Sequence, residues 1–256
     1  MMICLEETYN QAIRISRNMV EDIRFGRQLY FQPVEKYTAQ ICKYLDGNDN
    51  ILSFLYSVQD KNPYLHSHPV NVAYLSFVIG KWLGMDLIRL EKLVLAGLLH
   101  DIGKAKMKDS LLNKAETLTI EEMETLKAHP VISYKILKNY DAFDAEVLQA
   151  VLLHHERMDG SGYPLGIKGN QINLFSRIIA IADTFDAITS DRAYSKKLSP
   201  LQALEEIRAN SHKHLDPEIS HMFIQKYIDF YSGLELREND EQGLPQESEL
   251  GAVDNL

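Results

Sequence analysis

Long apolar runs at helical spacing are the feature that most constrains how this chain can fold. Residues 70–83 (VNVAYLSFVIGKWL) are apolar on most faces, which is typical of a helix buried inside a bundle. Residues 90–99 (LEKLVLAGLL) form a second run of the same kind. No stretch combines sustained strand alternation with hairpin dipeptides such as Asn-Gly. The pattern therefore predicts an all-α fold, a helical bundle.

Further helices are predicted on both sides of these two runs. Thr119, with Glu122 three residues later, is a capping-box signal that predicts a helix over 119–139. Pro69 suits the first turn of the helix at 70–83. Residues 1–60 suggest two or three amphipathic helices, interrupted near 26–33 and at 46–48. The remaining predicted helices cover 145–155, 175–189, 200–210 and 217–232.

Length and charge limit the organisation and the partners of the chain. Its 256 residues suffice for one large domain with an appendage. A net charge of −9 argues against a basic surface that would bind duplex nucleic acid. Much of this charge lies at 233–256, so a small anionic ligand is still permitted elsewhere. We predict a helical N-terminal extension of unknown role at 1–60, a main domain at 61–232 and a disordered acidic tail at 233–256.

Three absences in the sequence bear on the compartment. The only cysteines, Cys4 and Cys42, form neither a disulfide framework nor a recognisable thiolate zinc site. The N-terminus carries Glu6 and Glu7 where a signal peptide needs a basic flank and an apolar run. No uninterrupted apolar segment approaches the ~18 residues of a membrane span. We therefore expect a cytoplasmic protein without a membrane span.

Several polar residues end or interrupt the apolar helices. Singly, each is more often an ordinary hydrogen-bonded core residue. Together they supply five histidines and two aspartates, a set that suits Fe, Mn, Zn, Co or Ni better than Ca or Mg. Such a set is too large for one ion with an open position, but it fits two ions. We assign His68, His100, Asp101 and Asp183 to the first ion and His129, His154 and His155 to the second, with Asp101 as a bridge.

A dinuclear site at the centre of a helical bundle has a definite chemical use. Two cations joined by a carboxylate lie roughly 3.5 to 4 Å apart and lower the pKa of a shared water molecule. That water can then attack phosphorus at neutral pH without a covalent protein nucleophile.

The segment 154–164, HHERMDGSGYP, resembles the HHE-x-x-DG-x-GYP signature of the HD-GYP family of cyclic di-GMP phosphodiesterases at every fixed position. LLHDIGK at 98–104 and SRIIAIADTFDAITSDRAY at 176–194 also resemble family segments, as do KAHP at 127–130 and HPVNVAYLS at 68–76. The resemblance covers about residues 62–220. It implies an HD-domain-like bundle with two divalent transition metal ions, Fe or Mn, that hydrolyses the bacterial second messenger cyclic di-GMP.

The resemblance also implies roles for single residues. His68, with His100, Asp101 and Asp183, would complete the general HD-type metal site, whereas His129, His154 and His155 would add the second site. His66 competes with His68 for the opening position. Apart from the resemblance, Asp186 lies three residues after Asp183 on nearly the same helical face, so it would orient a ligating histidine or simply hydrogen-bond at the helix end. Glu156 would likewise orient a ligand.

Three more residues are implied as catalytic or substrate-binding groups. Lys104 would stabilise charge on a phosphate oxygen beside Asp101, although a surface lysine at a helix end is the simpler interpretation. Tyr163 would contact the substrate, or the Gly-Tyr-Pro segment could merely shape its loop. Arg192 would grip a phosphate, or it could pair with Asp191 or Asp186.

One departure from the family pattern affects the product. Members that hold a third metal carry a glutamate four residues before the opening histidine, where this chain has Tyr64. A phenol is a poor replacement for that carboxylate, so the sequence favours a dinuclear centre and the linear product pGpG over complete hydrolysis to GMP. Two alternatives are a hydrolase of another cyclic dinucleotide or nucleotide, and a catalytically silent cyclic di-GMP receptor. A homodimer or a signalling partner is left open.

Overall fold

The computed structural model describes residues 5–48, 50–58, 64–190 and 197–242, and it is helical with no strand within those ranges. The predicted all-α fold is thereby confirmed. Two 3-10 turns, Ile102–Lys106 and Gly169–Gln171, interrupt the series of α-helices. In chain order the helices are α1 Leu5–Arg24, α2 Gln32–Asp46, α3 Ile51–Val58, α4 Tyr64–Trp82, α5 Leu87–Leu99, α6 Asp109–Leu112, α7 Ile120–Lys127, α8 His129–Lys138, α9 Ala145–Leu153, α10 Leu174–Thr189, α11 Pro200–Asn210 and α12 Pro217–Gln242.

Helix α4 lies at the centre of the bundle and packs on both α5 and α10. Its Val70, Phe77 and Ile79 are fully buried, as the apolar run predicted. The contact with α5 is close because Gly97 has no side chain: a Cβ atom there would lie 2.9 Å from the Cα of Ala73. This close approach places the C-terminal end of α5 beside the first half of α4.

The helix predicted over 119–139 is broken in two. The capping box forms as predicted, because Glu122 N–H donates to the Thr119 hydroxyl and the Glu122 carboxylate accepts from Thr119 N–H. The first helix nevertheless ends at Lys127 and the next begins at His129. Pro130 explains the break, because it has no N–H for the Leu126 carbonyl and its ring crowds that oxygen.

Two other boundary predictions need correction. Helix α4 begins at Tyr64, so Pro69 lies inside the helix, where it removes one hydrogen bond, rather than in the first turn. Helix α12 continues to Gln242, ten residues beyond the predicted end at 232 and into the predicted acidic tail. Residues 243–256 of the predicted tail lie outside the described residues.

The helices of the predicted N-terminal extension belong to the same hydrophobic core as the rest of the bundle. Helix α1 packs on α4 and on the turn Ile102–Lys106, and α2 packs on α5. Tyr9, Ile13 and Ile41 are buried in one cluster with the core residues of α4 and α10. None of the described helices is long and apolar enough to cross a bilayer.

Candidate functional site

Three histidines of the predicted ligand set lie where helices begin or end, and a carbonyl oxygen three residues earlier holds each ring. The Nδ1 atoms of His100, His129 and His154 lie 2.7, 2.7 and 2.8 Å from the carbonyl oxygens of Gly97, Leu126 and Val151. These carbonyls are available because helix ends leave backbone acceptors without helical partners. When Nδ1 of a neutral imidazole donates its proton, Nε2 carries a free lone pair. The three rings therefore turn the lone pairs of their Nε2 atoms toward the interior of the cluster.

Pro130 prepares the ring of His129 for this contact. In an unbroken helix the Leu126 carbonyl would accept from the N–H of residue 130, which proline lacks. The Nδ1 of His129 takes that place at 2.7 Å. The same residue that breaks the predicted helix therefore orients one of the predicted ligands.

His68 is held by a carboxylate instead of a carbonyl. Its Nδ1 lies 2.6 Å from Asp186 Oδ2, which is the contact that the expected orienting role of Asp186 requires. Asn71 donates from Nδ2 to Asp186 Oδ1 at 2.7 Å, and the Ser190 hydroxyl donates to the same oxygen at 3.2 Å. The Nε2 of His68 is thereby turned toward Asp183, whose Oδ1 lies 3.2 Å away.

Asp101 lies between two groups of histidines. Its Oδ2 is 3.5 Å from His68 Nε2 and 3.4 Å from His100 Nε2. Its Oδ1 is 3.0 Å from His129 Nε2 and 3.9 Å from His154 Nε2. Each carboxylate oxygen therefore faces a different pair of imidazoles, which is the geometry of a bridge.

The described side chains form two sets whose potential ligand atoms lie within 4.8 Å of one another, and Asp101 belongs to both. One set contains His68, His100 and Asp101, and the other contains Asp101, His129, His154 and His155. Asp183 connects the two sets, since it contacts His68 and its Oδ2 lies 3.9 Å from His155 Nδ1. All seven predicted ligands are thus brought together.

The interior of this cluster suits cations. The Nε2 atoms of His129 and His154 lie 3.3 Å apart, although both rings use their Nδ1 proton on a carbonyl. Two lone pairs facing each other at this distance repel unless a positive charge lies between them. The Nε2 of His100 is buried and has no hydrogen-bond partner among the described residues. The donor set therefore fits divalent transition metals on its own chemistry.

Burial keeps most of these imidazoles neutral, as ligands must be. It lowers the pKa of His100, with only partial opposition from Asp101. Burial and the neighbouring His155 hold the pKa of His154 well below its usual range. The pKa of His155 falls to about 3, mainly through burial.

In contrast to these neutral imidazoles, the two carboxylates and His68 have pKa shifts that favour their charged forms. Burial opposes a charge on His68, but hydrogen bonds to Asp101, Asp183 and Asp186 outweigh it and raise its pKa to about 10. Burial also opposes ionisation of Asp101, yet Lys104 and the adjacent histidines hold its pKa well below the usual range. His68 does the same for the pKa of Asp183.

These shifts predict that the chelator-treated protein is most stable near pH 6.5. Below the ordinary histidine pKa, His100, His154 and His155 bind protons in the unfolded chain but not in the folded chain. The free energy of unfolding therefore decreases as the pH is lowered. The raised pKa of His68 contributes stability that is complete below about 6.5 and is lost as the pH rises toward 10. Each histidine changes the free energy of unfolding by up to about 1.4 kcal/mol per pH unit. A melting temperature that does not change between pH 4.5 and 6.5 would contradict this.

Lys104 lies at the rim of the cluster. Its Nζ is 2.5 Å from Asp101 Oδ2, and the lysine side chain is partly exposed. Gly103 lets this segment approach α8, because a Cβ atom there would lie 2.3 Å from the His129 carbonyl oxygen. The Gly103 N–H donates to the Ser133 hydroxyl, which donates to the His100 carbonyl. These contacts tie the two halves of the ligand set together.

The loop after His155 is shaped by Glu156. Its Oε1 accepts from the N–H groups of Leu165 and Gly166 at 2.6 and 3.1 Å. Glu156 therefore holds this loop in place, and its expected orienting of a ligand stays a prediction. The loop carries Tyr163 back onto the site, where its ring lies 4.8 Å from that of His155 at an interplanar angle of 31°.

A cleft beside the cluster has a wall that the sequence patterns did not reveal. It is lined by His68, Asp101 and Lys104, and on the other side by Met19 and Arg24 of α1. The competitor His66 faces α1: burial lowers its pKa, and the charges acting on it are Arg17, Arg24 and Glu21. Two predicted features, Arg192 and the side chain of Tyr64, lie outside the described residues.

Known proteins are similar to this chain in sequence and in fold. Residues 56–219 match the family model described as HD domain. A cyclic di-GMP phosphodiesterase from Pseudomonas aeruginosa, PA4108, is 32% identical over 86% of this chain and 54% of its own length. A cyclic di-GMP phosphodiesterase from Thermotoga maritima is 36% identical over 84% of this chain and 59% of its own length. The chain thus spans little more than half of these relatives.

Two further similarities extend the picture. The protein named 3'3'-cGAMP-specific phosphodiesterase 3 from Vibrio cholerae is 36% identical over 63% of this chain and 35% of its own length. The structure of Bd1817, an HDG"Y"P protein from Bdellovibrio bacteriovorus, superposes with a TM-score of 0.73 at 16% identity over 86% of this chain and 70% of that one. The latter shows a shared fold.

Proposed function

Since this chain belongs to the HD domain family, we propose that it is a metal-dependent phosphodiesterase that hydrolyses cyclic di-GMP to the linear dinucleotide pGpG. The observation that carries the proposal is the buried cluster in which the two oxygens of Asp101 face different histidine pairs. The names of the relatives from Pseudomonas aeruginosa and Thermotoga maritima support the substrate.

The ligand assignment follows the two sets around Asp101. His68, His100, Asp101 and Asp183 would hold one ion, and His129, His154 and His155 the other, with Asp101 shared. Nitrogen and oxygen donors without sulfur agree with iron or manganese. When bound, two divalent ions would polarise the phosphoryl group and lower the pKa of a water molecule.

The surrounding side chains have separate tasks in this reaction. Lys104 offers an ammonium at the mouth of the cluster, where negative charge grows on a phosphate oxygen during attack. Tyr163 stacks on His155, and burial raises the pKa of its hydroxyl, so that it remains a hydrogen-bond donor toward a nucleotide. Arg192 is kept as a phosphate-binding residue on its sequence pattern alone.

Turnover measured across substrates tests this proposal. Anaerobically purified protein, reconstituted with Fe²⁺ or Mn²⁺, is incubated separately with cyclic di-GMP, 3'3'-cGAMP and pGpG, and the products are separated by chromatography. We expect pGpG from cyclic di-GMP and slow or absent conversion of pGpG to GMP. Preferential turnover of 3'3'-cGAMP would favour the second candidate function, a hydrolase of another cyclic dinucleotide. The similarity to the Vibrio cholerae enzyme supports this alternative. If the protein binds cyclic di-GMP but forms no product with either Fe²⁺ or Mn²⁺, it is a receptor and not an enzyme.

A further inference from the structure

A chain of buried hydrogen bonds leads from the N-terminal helix α1 to the proposed ligand His68. The Tyr9 hydroxyl donates to Asn71 Oδ1 at 2.6 Å, and Asn71 Nδ2 donates to Asp186 Oδ1 at 2.7 Å. The other oxygen of Asp186 accepts from His68 Nδ1 at 2.6 Å. These four side chains are between 1% and 3% exposed, so water does not compete for these bonds.

The direction of every bond in this chain is fixed by chemistry. An ionised Asp186 can only accept, so Asn71 must turn its NH₂ toward it and its Oδ1 toward Tyr9. Burial and the charge of Asp186 raise the pKa of the Tyr9 hydroxyl, which therefore stays a donor to Asn71. The same carboxylate keeps the proton of His68 on Nδ1 and leaves Nε2 for a metal.

We propose that Tyr9 is a positioning residue that, through Asn71 and Asp186, fixes the tautomer and ring orientation of His68 and so raises the affinity of the site for metal. The proposal rests on the ligand role given to His68 above. Tyr9 lies outside the 56–219 region that matches the HD domain model. A residue of the N-terminal extension thus completes the support of a metal ligand.

Helix α1 is well placed for this task because it touches the site twice. Met19 and Arg24 line the cleft beside Asp101, and Tyr9 begins the hydrogen-bond chain to His68. A displacement of α1 would therefore change both the wall of the cleft and the orientation of a ligand.

The variant Tyr9→Phe isolates the hydroxyl from the ring. The ring packs edge-on against Phe54 and Tyr74, with centroids 5.4 and 5.8 Å apart, and phenylalanine retains these contacts. Without the hydroxyl, Asn71 Oδ1 loses this buried donor, so the amide is held from the side of Asp186 alone and orients that carboxylate, and with it the His68 ring, less firmly. Loss of an outer partner of a ligating histidine typically weakens metal affinity about 10- to 100-fold, and we expect about 10-fold for this more remote link.

The experiment titrates Co²⁺ into the chelator-treated protein and follows binding by calorimetry and by the visible absorption of the ion. Tyr74→Phe is the matched control, because Tyr74 is equally buried and on α4, but its hydroxyl lies 3.2 Å from that of Tyr37. We expect Tyr9→Phe to weaken Co²⁺ binding and to alter the Co²⁺ spectrum. Tyr74→Phe should bind Co²⁺ within twofold of the unmodified chain, even if it melts earlier.

Two results would overturn the proposal. One is an unchanged Co²⁺ affinity and spectrum in folded Tyr9→Phe, and the other is an equal change in both variants, which would reduce the role to packing. The same substitution made in an Asp186→Asn background should add no further loss, because the link to His68 is already cut. Since no nucleotide is used, a chain that fails to hydrolyse cyclic di-GMP but shows this dependence refutes the proposed function alone.

Discussion

Replacing Asp101 by Asn is expected to abolish hydrolysis of cyclic di-GMP and to lower the amount of metal that copurifies with the chain. The amide keeps the volume of the side chain but loses the charge and one of the two oxygens that face the histidine pairs. Loss of a single stabilising group in an active site costs about 10²–10³ in kcat, and this change removes support for both ions, so we expect at least about 10³-fold. Steady-state turnover and metal analysis of the same preparation measure it.

Asp46→Asn provides the matched control for that result. It makes the same chemical change at an exposed carboxylate that lies 3.4 Å from Lys81, at the end of α2. Turnover and metal content should both stay at the level of the unmodified chain. Retention of full activity in Asp101→Asn would defeat the bridging assignment, whatever the sequence signature suggests.

Replacing His154 by Ala is expected to reduce the bound metal from two ions to one per chain, with a loss of turnover of more than about 10²-fold. His154 belongs to the set with Asp101, His129 and His155, and not to the set of His68 and His100. One set should therefore keep its ion while the other loses a buried, neutral ligand. Metal per folded chain, measured by mass spectrometry after gel filtration, gives the count.

The control for this metal count also tests whether His66 or His68 is the opening histidine. His66→Ala removes an imidazole that faces the charges of α1, so both ions and most of the activity should be retained. Loss of one ion in His66→Ala would place His66 instead of His68 at the opening position, and no loss in His154→Ala would contradict the second set.

The helices and the candidate metal-binding residues could be predicted because their signals in the sequence are local. The apolar run at 70–83 and the capping box at Thr119 act within one or two turns, and both elements form. The break before His129 was not predicted, because the capping-box signal and the apolar spacing favour one continuous helix. Pro130 is the local signal for the break. Asn71, a lone amide in the buried apolar run, is a local sign of a buried hydrogen-bond network, but its partners are not visible in the sequence.

The sequence by itself determined the fold class, the seven residues proposed as ligands and the resemblance to HD-type phosphodiesterases, because residue type and short spacing carry that information. Only the tertiary structure decided which oxygen of Asp101 faces which histidines, that Glu156 folds its loop, and that α1 forms part of the site. Tyr9 and Asn71 are separated by 62 positions, and Asn71 and Asp186 by 115. Contacts over such distances depend on how helices pack, and no local pattern encodes them.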